Sequence, residues 1–265
     1  MDSIRCHTRR AQGRMPSRGV LLGAAALALA LPHAVQAQGL GNPTVSDSKV
    51  GYIDSALPLS QFRLRYDAGF DNNRPTRAEF FYARSGPGSP GLPRAETSVD
   101  HQDVSLYLEQ VVRCGLSVFV EVPVRWINPE INDNARGLGD MNAGFKWAFF
   151  DTDESVGTFL FRTYAPTGEA GRGLGNHHAS LEFGLLAYHR LTDRLAMEGE
   201  LKAWIPIASD PFAGNIIRYG LGASYDLWRN DRITVAPVVE LVGWQVLDGL
   251  ENATLRTPAG VLVPF

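Results

Sequence analysis

Cysteine is scarce in this chain: its 265 residues hold two, too few for a disulfide-stapled scaffold, and no Cys/His group has zinc-site spacing. Charge of one sign is equally lacking. Lys and Arg number 25 against 28 Asp and Glu, a net charge of -3, so no basic excess points to nucleic acid as a partner. There is no glycine loop to cradle phosphate and no dinucleotide fingerprint. Asp151-Thr152-Asp153-Glu154 has the residue types of a calcium loop without the EF-hand spacing and reads as a solvated turn. No cofactor is therefore expected. Long apolar runs are missing as well: beyond Leu31 nothing approaches about 18 consecutive apolar residues, so any membrane crossing further along must be made by strands.

The apolar run that does exist, Gly19 to Leu31, follows Arg5, Arg9, Arg10, Arg14 and Arg18 and precedes Val35-Gln36-Ala37. A basic flank, a short apolar core and a small-x-small end predict a secretory signal peptide over residues 1–37. Export fits the low cysteine use. Residues 38–59 mix Gly, Pro, Ser and Asp without a strand pattern and are expected to form a periplasmic lead-in or plug.

What the chain has in abundance is alternation. Phe62, Leu64, Tyr66, Ala68 and Phe70 alternate with Gln61, Arg63, Arg65, Asp67 and Gly69, and the pattern recurs as far as Trp244. A period of two marks a strand with one apolar and one polar face. Paired runs are joined by short polar links such as Arg113-Cys114-Gly115 and Asp151 to Glu154; between pairs lie longer Gly- and Pro-rich stretches such as Ser85 to Asp100 and Pro166 to His178. The first pair is expected to be Gln61 to Phe70 with Thr76 to Ala83. Most runs have the roughly 9 to 11 residues a tilted bilayer-crossing strand needs, and rings such as Trp126, Trp147, Phe149 and Tyr225 sit near the ends of apolar faces. The predicted fold is all-β: an antiparallel up-and-down transmembrane β-barrel of about 10–12 strands over residues 60–265. The same period also fits a secreted soluble sandwich or lipocalin-like barrel, in which the apolar face turns inward.

If the apolar face meets lipid, the other face lines a lumen. That face carries Arg63, Arg65, Asp67, Glu121, Arg125, Lys146, Arg162, Glu182, Glu200, Lys202, Arg218, Asp226 and Glu240, together with Glu109, Asp140 and Glu198. The two signs are balanced, which predicts cross-strand ion pairs rather than a strongly charge-selective pore. His178, Ser180 and Glu182 share a strand face in a His-x-Ser arrangement similar to that of an outer-membrane lipid A deacylase. Side chains about 7 Å apart along a strand make a poor hydrogen-bonded dyad, so the chain is expected not to be an enzyme.

Gly137-Leu138-Gly139-Asp140, Asn142-Ala143-Gly144-Phe145-Lys146, the Ala165-Pro166-Thr167-Gly168-Glu169 corner, Leu181 to His189 and Arg218-Tyr219-Gly220 resemble the outer-membrane transporter family associated with the meta-pathway of phenol degradation. That resemblance implies a cell outer-membrane barrel passing small, hydrophobic or aromatic solutes. The expected partners are outer-membrane lipid and the solute, with no nucleic acid. Such proteins continue past the position of Trp244 with further strands, so either ten strands close the barrel or a longer barrel lacks its last staves. A structural or adhesive surface barrel without transport is the second reading, and an outer-membrane lipid hydrolase the third.

Overall fold

The computed structural model describes residues 51–72, 83–94, 96–207, 213–230 and 233–248, and the backbone of 254–256 and 262–264. The expected leader lies outside the described residues. Among the described residues fourteen strands follow in order: β1 Gln61–Asn72, β2 Val99–Arg113, β3 Leu116–Pro129, β4 Ala135–Leu138, β5 Met141–Asp151, β6 Ser155–Ala165, β7 Ala179–Arg190, β8 Leu195–Ile207, β9 Ile216–Tyr225, β10 Trp228–Arg229, β11 Thr234–Val235, β12 Val238–Val246, β13 Thr254–Arg256 and β14 Leu262–Pro264. The one helical element among the described residues is a 3-10 turn, Ala170–Arg172, and no described helix is long and apolar enough to cross a membrane.

Ten strands form one antiparallel sheet in the order β1-β2-β3-β5-β6-β7-β8-β9-β12, with β4 also pairing to β3, and the sheet curls strongly into a half-barrel. The long and short links alternate as the sequence suggests. Two residues join β2 to β3, and Gly115 supplies the left-handed backbone (φ 69°) that such a turn demands. Three described departures from the expected strand list have local causes. The partner of β1 in this sheet is β2, with Phe62 opposite Leu108 and Leu64 opposite Leu106; of the expected partner Thr76 to Ala83, residues 76–82 lie outside the described set and Ala83 is not in a strand. The stretch Ile127 to Gly139 is not all loop, because Ala135–Leu138 pairs with Val124–Ile127; four residues are too few to display a period. The β9–β12 ladder is interrupted near Pro237, which has no N–H to donate, and the small β10–β11 hairpin continues beyond it.

Burial along these strands is the reverse of a soluble sandwich. Phe62, Leu64, Leu106, Leu108, Leu185, Leu201, Leu221 and Leu241 face outward and are exposed, whereas Glu109, Lys146, Arg162, Glu182, Glu200 and Lys202 on the alternate positions are buried. The inner side is closed by two apolar clusters. Tyr107, Phe119, Ala148, Val156, Leu160, Leu186 and Tyr188 pack together with Ala56 and Leu57. Val99, Ile127, Ala135 and Leu174 pack among the long connections.

Candidate functional site

The period-two pattern sends every second residue of each long strand to the inner face, and the charged residues that the sequence singled out on those strands lie there, whereas Asp140 and Asp226 lie in the connections before β5 and after β9. Arg65 pairs with Asp67 at 2.5 Å, and the Arg63 guanidinium lies 4.7 Å from the Tyr107 ring centre. Arg125 grips Asp103 through Nε (2.9 Å) and Nη2 (2.7 Å), a two-pronged pair across β2 and β3. Glu121 accepts a bond from Asn142 Nδ2 at 3.1 Å. Lys146 reaches Glu109 at 3.0 Å, and Asp226 pairs with Arg229 beyond β9. Of these ion pairs Arg125–Asp103 and Lys146–Glu109 join different strands, whereas Arg65–Asp67 lies within β1 and Asp226–Arg229 is local in sequence.

Into this face runs the lead-in. Residues 51–60 cross the inner side of the sheet from its β12 edge toward β2, so the described part of the expected plug is a strap. Glu240 on β12 receives the N–H groups of Gly51 (3.3 Å), Tyr52 (3.0 Å) and Ile53 (3.2 Å). Arg218 on β9 donates to the Tyr52 carbonyl at 2.8 Å, Thr158 on β6 to the Ala56 carbonyl at 2.5 Å, and Leu59 N–H reaches Glu109 at 3.3 Å. An irregular segment cannot satisfy its own backbone by ladder bonds, and here charged and hydroxyl side chains of the wall supply what it lacks. The Tyr52 ring meets Trp244 edge-on at 6.3 Å and has the Arg65 guanidinium 5.7 Å away, so it touches side chains from β12 and from β1.

At the centre of the strap is Asp54, which sequence reasoning left inside an unstructured lead-in. Its carboxylate accepts from Arg162 Nη2 at 2.8 Å and from Lys202 Nζ at 2.6 Å, and its N–H donates to Glu200 at 2.8 Å. Arg162 Nη1 also binds Glu182 at 2.8 Å, and Tyr164 donates to the same carboxylate at 3.2 Å. Lys202 lies 3.0 Å from Glu200 and 3.8 Å from Glu182. Arg218 Nε is 2.9 Å from Glu200 Oε1 but off the hydrogen-bond line, an ionic contact only. Buried charges persist only when each has a partner, because their desolvation exceeds what an incomplete network returns. The signal that could have exposed Asp54 is a count made after the register is known: within ion-pair distance Arg162, Lys202 and Arg218 meet only Glu182 and Glu200 on the sheet.

His178 and Ser180 share no hydrogen bond. His178 Nδ1 donates to the Asn176 carbonyl at 2.9 Å, and the buried Ser180 hydroxyl has no hydrogen-bond partner. Asp140 is instead a structural anchor, accepting Gly168 N–H at 2.9 Å and Asn176 N–H at 2.7 Å. Burial pushes its carboxyl up, and those two N–H groups oppose the rise. Replacing Asp140 with Ala orphans both donors, at about 1–3 kcal/mol each. The expected outcome is faster amide exchange at Gly168 and Asn176 and new protease cutting within 166–178, with the sheet intact.

Among the long connections a cleft of about 470 Å³ is lined by Asp100, His101, Trp126, Asn128, Arg136 and Arg172, among others. In comparisons with known proteins, no protein-family profile and no curated sequence matches the chain.

Proposed function

We propose that the chain spans the outer membrane as a closed β-barrel and serves the passive passage of small solutes. The inverted burial supports this: apolar side chains stand exposed along the outer face while ionised ones pair inside, an arrangement favoured by hydrocarbon outside and polar space within. Strand length supports it too, since β2, β3, β5, β6, β7 and β8 have 11 to 15 residues, enough for a tilted crossing.

Strand direction bears on the closure. Consecutive members of the path are antiparallel, so β1 and β12, its first and ninth members, run the same way. An antiparallel seam between them needs an odd number of further strands, which gives ten or twelve in all and an even barrel. The phenol-degradation transporter family resembles the chain in its corner motifs and implies aromatic or hydrophobic solutes. Tyr107 and Phe119, covered by Ala56 and Leu57 of the strap, and Tyr164 stand beside the ion pairs, so passage along this wall requires the strap to be displaced and suits a solute with both a ring and a polar head.

Detergent-extracted protein from the membrane fraction is expected to migrate differently on gels before and after boiling. Liposomes containing it are expected to swell in small solutes. A folded, monomeric protein in plain buffer would sink the barrel, and impermeable liposomes would sink the passage. The second reading, a surface barrel acting through its outer loops, is favoured by the cleft among Asp100, Trp126, Arg136 and Arg172. Loss of surface binding with unchanged uptake after trimming Ser85 to Asp100 would select it.

A further inference from the structure

The cations around Asp54 have one sheet carboxylate too few within ion-pair distance. Arg125 has Asp103 and Lys146 has Glu109, each pair complete on the sheet itself. Arg162, Lys202 and Arg218 share only Glu182 and Glu200, and the third carboxylate comes from the strap. Without the Asp54 carboxylate these three cations keep two carboxylates within ion-pair distance, in buried surroundings that favour a third.

The guanidinium of Arg162 adds a second, geometric observation. Its Nη2 binds one oxygen of Asp54, while its Nε–H is buried and has no hydrogen-bond partner. Nε and Nη2 form the side-on fork that matches the two oxygens of a carboxylate. Arg125 shows the fully engaged form of that fork on Asp103. Asp54 shares its other oxygen with Lys202 and is tethered to the backbone, so it fills half the fork. A carboxylate free of the chain has no such tether and can take both prongs with Lys202 alongside. The Phe119 ring lies 5.2 Å from the Arg162 guanidinium carbon, an apolar surface for whatever the carboxylate is attached to.

We propose that Arg162 and Lys202 form a binding site for a small organic monocarboxylate, and that Asp54 is an internal ligand holding the site while the strap is in place. The site is a statement about the folded protein; only its consequence, that small carboxylates are the preferred solutes, rests on the passage reading above.

The test is chemical rescue with acetate, the nearest free equivalent of the Asp54 side chain. Asp54→Ala opens both the charge gap and the space, so the full chain folded in detergent is expected to unfold at lower denaturant than the wild type. With a dissociation constant of about 10 mM, about 100 mM sodium acetate should then raise the folded-to-unfolded ratio of this variant about tenfold. Sodium chloride at equal ionic strength and neutral acetamide should not. Asp54→Asn, whose amide still fills the space, and the double variant Asp54→Ala/Lys202→Met should show no acetate response. Where Asp54→Ala does not fold unaided, refolding yield in acetate against chloride reads the same effect.

Equal responses of Asp54→Ala to acetate and chloride, or an equal acetate response in all three variants, would overturn the proposal. Acetate rescue combined with impermeable liposomes would leave the site standing and remove the passage reading alone.

Discussion

Replacing Leu185 with Arg is expected to destabilise the protein folded in lipid by about 2–4 kcal/mol, the cost of a cation at the lipid-facing midplane of a barrel. Leu185 lies near the middle of β7, opposite Leu201 of β8, and both point outward with more than half of each side chain exposed. Were water the neighbour, exchanging an exposed Leu for Arg would change stability by no more than about 0.5 kcal/mol and would improve solubility. The two solvents therefore predict different magnitudes for one substitution. Urea unfolding from lipid bilayers measures it. A near-zero change there, with improved behaviour in plain buffer, would mean that the outer face is not lipid-covered.

Strand positions and faces were legible because period two is a local property. Any stretch such as Gln61 to Phe70 carries it without reference to the rest of the chain, and the structure places the charged members Arg63, Arg65 and Asp67 on the side opposite Phe62, Leu64 and Tyr66. The alternation of tight and long links was legible for the same reason, since Cys114-Gly115 and the run 166–178 differ visibly in length and composition. Pairing partners were less so. That β1 lies beside β2, across the long connection that leaves β1, is decided by cross-strand contacts such as Phe62 with Leu108, and a periodic pattern does not say which neighbour it meets.

The strap was the least legible part. Ile53, Ala56 and Leu57 are buried against the sheet, yet nothing in Gly51 to Ser60 repeats, because the segment takes its order from the wall and not from a backbone period. Its carboxylate could be inferred only by asking which inner cations lack partners. That question requires the register, which brings Arg162 beside Glu182 and Lys202 opposite Arg218.

Register also governs the second large effect, at the buried pair of β2 and β5. Glu109 and Lys146 are 0% and 2% exposed at the side chain. Their surroundings are unequal. Glu109 keeps the Tyr107 hydroxyl at 2.8 Å, the Ser117 hydroxyl at 2.5 Å, Gln61 Nε2 at 2.9 Å and Leu59 N–H at 3.3 Å, while among the described residues Lys146 Nζ pairs with Glu109 itself. Removing one member of a buried pair costs about 3–5 kcal/mol, because the survivor is left charged in a dry site. Glu109→Leu should reach the upper end of that range, since the ammonium then keeps no carboxylate within ion-pair distance, with the Tyr107 ring at 5.8 Å and Asp54 acting only from further away. Lys146→Met should stay near the lower end, since four donors still attend the carboxylate. The double variant Glu109→Leu/Lys146→Met should be less damaging than Glu109→Leu alone, because no isolated charge remains, although the donors around the lost carboxylate are then unsatisfied. Denaturant midpoints of the three variants, taken as a double-mutant cycle, read the coupling directly. Strictly additive losses would show that the pair sits in water-filled space and not in the dry, filled interior that its burial describes.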